Sequence, residues 1–81
     1  GRMAEVNVYS TPTCPWCKRA KQFFTENGVE FKDFDVAAAV AARKEMIDKS
    51  GQLGVPVIEI DGEIIIGYDE PKLKKALALE K

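Results

Sequence analysis

The stretch Glu5-Val6-Asn7-Val8-Tyr9-Ser10-Thr11-Pro12-Thr13-Cys14-Pro15-Trp16-Cys17 decides how the rest of the chain is read. Val6 and Val8 alternate with polar neighbours and Tyr9 adds a β-favouring ring, so Glu5 to Ser10 reads as a short strand. Thr11-Pro12-Thr13 then interrupts it. From Cys14 to Asn27 the apolar residues Trp16, Cys17, Ala20, Phe23 and Phe24 recur at helical spacing, and Asn27-Gly28 supplies a C-terminal stop. Both cysteines therefore stand where a strand hands over to a helix.

Working outward, Val29 to Val36 carries Val29, Phe31, Phe34 and Val36 among charged neighbours and reads as a second strand. Ala37 to Ser50 has high helix propensity, with Val40, Met46 and Ile47 as its apolar stripe and Gly51 as its stop. Val57 to Ile60 and Glu63 to Ile66 are β-branched runs joined by Asp61-Gly62, the dipeptide suited to a two-residue hairpin. After Gly67-Tyr68, Asp69 is placed to cap a last helix with Pro71 in its tolerant first turn and Leu73, Ala76 and Leu77 facing inward. The order βαβαββα predicts an α/β domain. The first two strands, joined through a helix, are parallel with a right-handed crossover, and the closing hairpin completes a four-stranded mixed sheet with helices on both faces.

With 81 residues the chain has room for one modest core. Its 12 basic and 13 acidic side chains nearly cancel, so no field draws it to nucleic acid or to an anionic membrane surface. The longest wholly apolar run is Val36 to Ala42 and no charged-then-apolar leader opens the chain, so a soluble, cytoplasmic monomer is expected. Gly1-Arg2 ahead of Met3 reads as the remnant of a cleaved tag, leaving one domain over 3–81.

Cys14 and Cys17 are too close in sequence to staple distant segments, and a disulfide closing so short a loop contributes little to stability. Chemistry is the stronger reading. At the tip of the helix, the sulfur of Cys14 meets unpaired backbone N–H groups and the positive end of the helix dipole, which favours a thiolate. Pro15 suits the first helical position. Cys17 lies one turn inward on the same face, near enough for a disulfide to form and break. Cys14 is thus expected to attack and the shielded Cys17 to resolve. Lys18, four residues on, is the best placed cation to favour the Cys14 anion, whereas Arg19 and Lys21 read as a solvated helix face. Thr13 is expected to cap the helix. With no histidine and no third cysteine, a zinc site within one chain lacks ligands.

Val8-Tyr9-Ser10-Thr11-Pro12-Thr13-Cys14-Pro15-Trp16-Cys17, Gly54-Val55-Pro56-Val57 and Gly67-Tyr68-Asp69 together resemble the glutaredoxins, small dithiol proteins of the thioredoxin fold. The likeness covers essentially the whole chain from residue 3. It implies a thiol-disulfide oxidoreductase that reduces protein disulfides and glutathione mixed disulfides in electron transport, with glutathione as co-substrate and no tightly bound cofactor or metal. It also implies that Pro56 is cis and packs against the redox-active centre, while the backbone of Val55 pairs with substrate. By the same resemblance Arg43 serves the glycine carboxylate of glutathione, and Tyr68 with Asp69 lines its γ-glutamyl side. Thr11, Thr13, Pro15, Trp16 and Lys18 complete the expected binding set around the cysteines. Two alternatives accompany this reading. Thr11 stands where many glutaredoxins carry lysine, and a related subgroup takes electrons from thioredoxin reductase instead of a glutathione reductase system. A glutathione-linked dimer could also hold an iron–sulfur cluster through its thiols.

Overall fold

A computed structural model describes residues 4–79. The reading of Gly1-Arg2 as a tag remnant falls outside them. The elements are β1 (Val6–Ser10), α1 (Pro15–Glu26), β2 (Lys32–Asp35), α2 (Val40–Ser50), β3 (Val57–Ile60), β4 (Glu63–Ile66) and α3 (Glu70–Ala76). They form a four-stranded mixed sheet of order β2-β1-β3-β4, the βαβαββα arrangement expected from the sequence. β1 runs parallel to β2 and antiparallel to β3, and β3 pairs antiparallel with β4.

Register explains the two-sided core. Val6 lies opposite Ile60, and Val8 opposite Ile58, so their side chains share one face of the sheet, where Ala20, Phe23 and Phe24 of α1 and Leu73 of α3 cover them. Tyr9 opposes Val57 and points to the other face, where Val36, just past β2, and Met46 of α2 meet it. Each fully buried aliphatic or aromatic side chain of this kind contributes roughly 1.5–3 kcal/mol. On the α2 face a polar chain runs from that core out to the surface. Lys49 Nζ donates to Glu59 Oε1 at 2.7 Å, Asn7 Nδ2 donates to the same oxygen at 3.0 Å, and the Tyr9 hydroxyl donates to Glu45.

Local chemistry sets the boundaries. α1 closes in a Schellman turn: Val29 N–H donates to Phe24 O at 2.8 Å and Gly28 N–H to Thr25 O at 3.2 Å, with Gly28 at φ 68°. That turn carries Val29 and Phe31 into the core beneath α1, so backbone pairing starts only at Lys32 and β2 is shorter than the expected 29–36. α2 likewise starts at Val40 and not at Ala37. Asp35 Oδ1 accepts from the N–H of Ala37 at 2.9 Å and of Ala38 at 3.2 Å, which holds those alanines in a turn. Val40, expected in the apolar stripe, is 75% exposed at the start of the helix; Met46 is buried and Ile47 half-buried. The hairpin is as anticipated, with Asp61 and Gly62 at φ 49° and 90°, the positive pair that a type I′ turn needs. No helix among the described residues is long and apolar enough to cross a membrane.

Candidate active site

Cys14 is itself the N-cap of α1, with extended backbone and its sulfur accepting the N–H of Cys17 at 3.1 Å. This is the geometry in which a serine or threonine side chain normally caps the third residue of a helix. The sequence assigned that job to Thr13, which instead lies exposed in the preceding turn, where Cys14 N–H donates to Thr11 O at 3.3 Å. Pro15 follows at the first helical position, as its missing N–H predicts.

Cys17 sits at 0% exposure against the sheet, while Cys14 is half-buried at its edge. Burial, followed by the hydrogen bond with Cys14, pushes the Cys17 thiol up to about 12, a backbone hydrogen bond with Thr11 pulling the other way. At neutral pH Cys17 is therefore held as a thiol out of reach of a large disulfide, and the accessible sulfur is that of Cys14.

The loop before β3 closes over this centre. The Val55–Pro56 peptide is cis, Pro56 is buried, and the Val55 carbonyl oxygen stands 3.9 Å from Cys14 Sγ. Gly67 N–H donates to Pro56 O at 2.8 Å, which ties the turn before α3 to the same loop. Beyond it Trp16, 61% exposed, stacks on Tyr68 with centroids 6.2 Å apart and planes 16° from parallel. Tyr68 also meets Phe23 edge-on at 6.2 Å and carries the Arg19 guanidinium 5.8 Å from its ring centroid. Burial raises the Tyr68 phenol above its ordinary value, helped by the bond its hydroxyl donates to Glu70 at 2.9 Å.

Two grooves meet at Val55. One, of about 260 Å³, is lined by Trp16, Val55, Pro56, Gly67 and Tyr68. The other, of about 250 Å³, is lined by Thr11, Val36, Ala37, Arg43, Met46, Leu53 and Val55. The fold thus gathers Thr11, Arg43 and Val55 into one groove and Trp16, Val55, Pro56 and Tyr68 into the other, and the Val55 carbonyl joins both to Cys14. Asp69 caps α3, accepting Lys72 N–H at 3.2 Å. Lys18 is exposed and makes no side-chain hydrogen bond or ion pair among the described residues. Arg19 and Lys21, which read as a solvated face, are both engaged: Arg19 over Tyr68, and Lys21 Nζ with Asp33 Oδ2 at 2.8 Å. Sequence spacing carried no signal for either pairing, since each partner comes from another element.

Comparison with known proteins agrees with this geometry. Residues 6–65 match the Glutaredoxin family model. An uncharacterized glutaredoxin-like 8.6 kDa protein in the rubredoxin operon of Clostridium pasteurianum is 44% identical over 72 residues, covering 89% of this chain and 96% of its own. Glutaredoxin 3 of Escherichia coli K12 is 43% identical over 68 residues, covering 84% and 82% respectively. The crystal structure of a glutaredoxin from Archaeoglobus fulgidus superposes with a TM-score of 0.79 at 34% identity, covering 96% of this chain and 89% of that one. With a thioredoxin fold, a dithiol at the tip of α1 and a cis-proline loop above it, the chain belongs to the glutaredoxin family, whose members are thiol-disulfide oxidoreductases.

Proposed function

We propose that this glutaredoxin reduces glutathione mixed disulfides and protein disulfides, with Cys14 as nucleophile, Cys17 as resolving thiol and glutathione as electron donor. The observation that carries the reading is the pair of grooves meeting at Val55 beside Cys14 Sγ, one with the Arg43 cation and Thr11, the other walled by Trp16 and Tyr68. Glutathione is a short peptide with charge at both ends. Laid across Val55 with its sulfur at Cys14, it would direct its glycine carboxylate towards Arg43 and its γ-glutamyl end towards Tyr68 and Asp69.

In the first step Cys14 Sγ attacks the nearer sulfur of a disulfide, a new S–S bond forms, and the departing thiolate takes up a proton. Release then follows from attack on that mixed disulfide by a second glutathione or by Cys17, according to whether the substrate leaves room for the free thiol. Family potentials of roughly −200 to −230 mV lie above that of a cytosolic glutathione pool, roughly −220 to −260 mV, so the pool would keep the dithiol reduced and the chain would act as a reductant of other disulfides. A cytoplasmic monomer with no resident cofactor is the setting we assign to it.

Thr11 favours a second electron source. It stands where many glutaredoxins carry lysine, so the Arg43 groove has one cation fewer for a carboxylate, and thioredoxin reductase is the alternative donor. Side-by-side NADPH consumption separates the two. Turnover with glutathione and glutathione reductase is expected; turnover with thioredoxin reductase alone would overturn glutathione dependence. In the working assay Cys14→Ser abolishes turnover, whereas Cys17→Ser retains reduction of glutathione mixed disulfides, and equal loss from both would overturn the division of roles.

A further inference from the structure

Before Cys17 can displace a thiolate bound to Cys14 its own thiol must lose a proton, although burial works against the anion. One turn along α1 on the same face lies Lys21. Its side chain is only 27% exposed, and its ammonium is pinned rather than free: Nζ donates to Asp33 Oδ2 at 2.8 Å, and Asp33 Oδ1 accepts from the hydroxyl of buried Ser10 at 2.7 Å. Asp33 lies opposite Val8, and Ser10 lies two residues beyond Val8, so both side chains rise from the sheet on the face that α1 covers.

We propose that Lys21, clamped by Asp33 and Ser10, is the positioning residue that enables Cys17 to resolve the mixed disulfide on Cys14. The proposal rests on the roles assigned to the two cysteines above. The groups facing Cys17 are few. α1 and its cap offer the Lys21 ammonium and the Cys14 sulfur, and the loop between β1 and α1 offers the Thr11 backbone. β2 contributes Asp33, already bonded to Lys21, and β1 contributes the neutral Ser10 hydroxyl. The ionisable cluster of Tyr9, Glu45, Lys49 and Glu59 lies across the sheet. Lys21 is thus the cation whose field opposes the burial of the Cys17 thiol. An unanchored lysine would spend that charge in solvent; the Asp33 clamp keeps it at a fixed place over the helix.

The step it assists balances as a plain exchange. The Cys17 proton passes to water, Cys17 Sγ bonds to Cys14 Sγ, the bond from Cys14 to the substrate sulfur breaks, and that sulfur leaves as a thiolate carrying the electron pair. A disulfide is traded for a disulfide, so no further oxidant or reductant is needed. Attack by Cys14 and release by external glutathione do not involve the Cys17 thiol, so Lys21 governs only the two-cysteine route.

The reduced protein treated with dithiobis-nitrobenzoate gives the test, because thionitrobenzoate appears once when Cys14 attacks and again when Cys17 resolves. Lys21→Met and Lys21→Gln are expected to slow the second release by about fivefold or more between about pH 6 and pH 8, leave the first unchanged, and recover with Lys21→Arg. Far-ultraviolet circular dichroism of each variant reports its folded fraction. A second release that keeps the parent rate in both neutral variants, or one that slows only in step with the first, overturns the proposal. Cys17→Ser is the separate control: if it still gives the second release at the parent rate, the assignment of Cys17 as resolving thiol fails instead.

Discussion

The backbone N–H of Cys17 donates to Sγ of Cys14 at 3.1 Å, while the side chain of Cys17 is wholly buried beneath it. One residue thus supports the attacking sulfur through its main chain and holds a second sulfur in reserve. Brief treatment of the reduced protein with iodoacetamide at neutral pH should therefore add a single group, on Cys14, with Cys17 labelled only after unfolding. Peptide mass mapping reads this directly, and prior labelling of Cys17 would contradict the burial and the thiol pushed up to about 12.

Asp69 has two separable jobs. Its carboxylate caps α3, and in the proposed complex it also meets the γ-glutamyl end of glutathione. Asp69→Ala should cost about 1 kcal/mol of stability through the lost cap, and Asp69→Ser should restore most of it. The KM for a glutathione mixed disulfide should rise in both variants, because neither retains the carboxylate. A normal KM in Asp69→Ser would reduce Asp69 to a cap alone.

The Glu59 carboxylate is held below its ordinary range, first by the hydrogen bond from Lys49 and then by that from Asn7. A group depressed by folding stabilises the fold above its unfolded pKa and loses that contribution as pH falls through the folded one. Glu59→Gln should therefore lower stability by about 1–2 kcal/mol near pH 7 and by less near about pH 3, as protonation begins to remove the Glu59 charge. Urea unfolding at the two pH values checks this, and a constant difference between them would refute it.

Trp16 is mostly exposed, whereas Tyr68 links it to Phe23 in the core. Trp16→Ala should change stability by less than about 1 kcal/mol while raising KM. Tyr68→Ala should raise KM and also cost about 1–3 kcal/mol, since it removes the core contact as well. Thermal unfolding alongside turnover separates the pair, and equal destabilisation by both would contradict the packing.

Much of this was legible in the chain because the deciding signals are local. The alternation of Val6 and Val8, the helical spacing from Cys17 to Phe24, the stop at Gly28 and the Asp61-Gly62 turn each act within a few residues. The start of α2 was not legible: Ala37 to Ala39 have the propensity of a helix, and only the Asp35 carboxylate diverts them into a turn. Nor could periodicity distinguish Thr13 from Cys14 as the cap, because a cysteine sulfur in that place acts as the hydroxyl usually does. Pairings across elements lay furthest out of reach. Lys21 meets Asp33, and Lys49 meets Glu59, only once the sheet register has set which side chains share a face.

The sulfur that caps α1 is also the atom that reacts. An anionic sulfur accepts an N–H more strongly than a sulfur bonded to another sulfur, so the hydrogen bond that closes the opening turn is strongest just before exchange and gives way to a covalent link when Cys14 and Cys17 join. Oxidation therefore exchanges one fastening of the helix start for another, and the emission of Trp16, which stands on that turn, is expected to change with it.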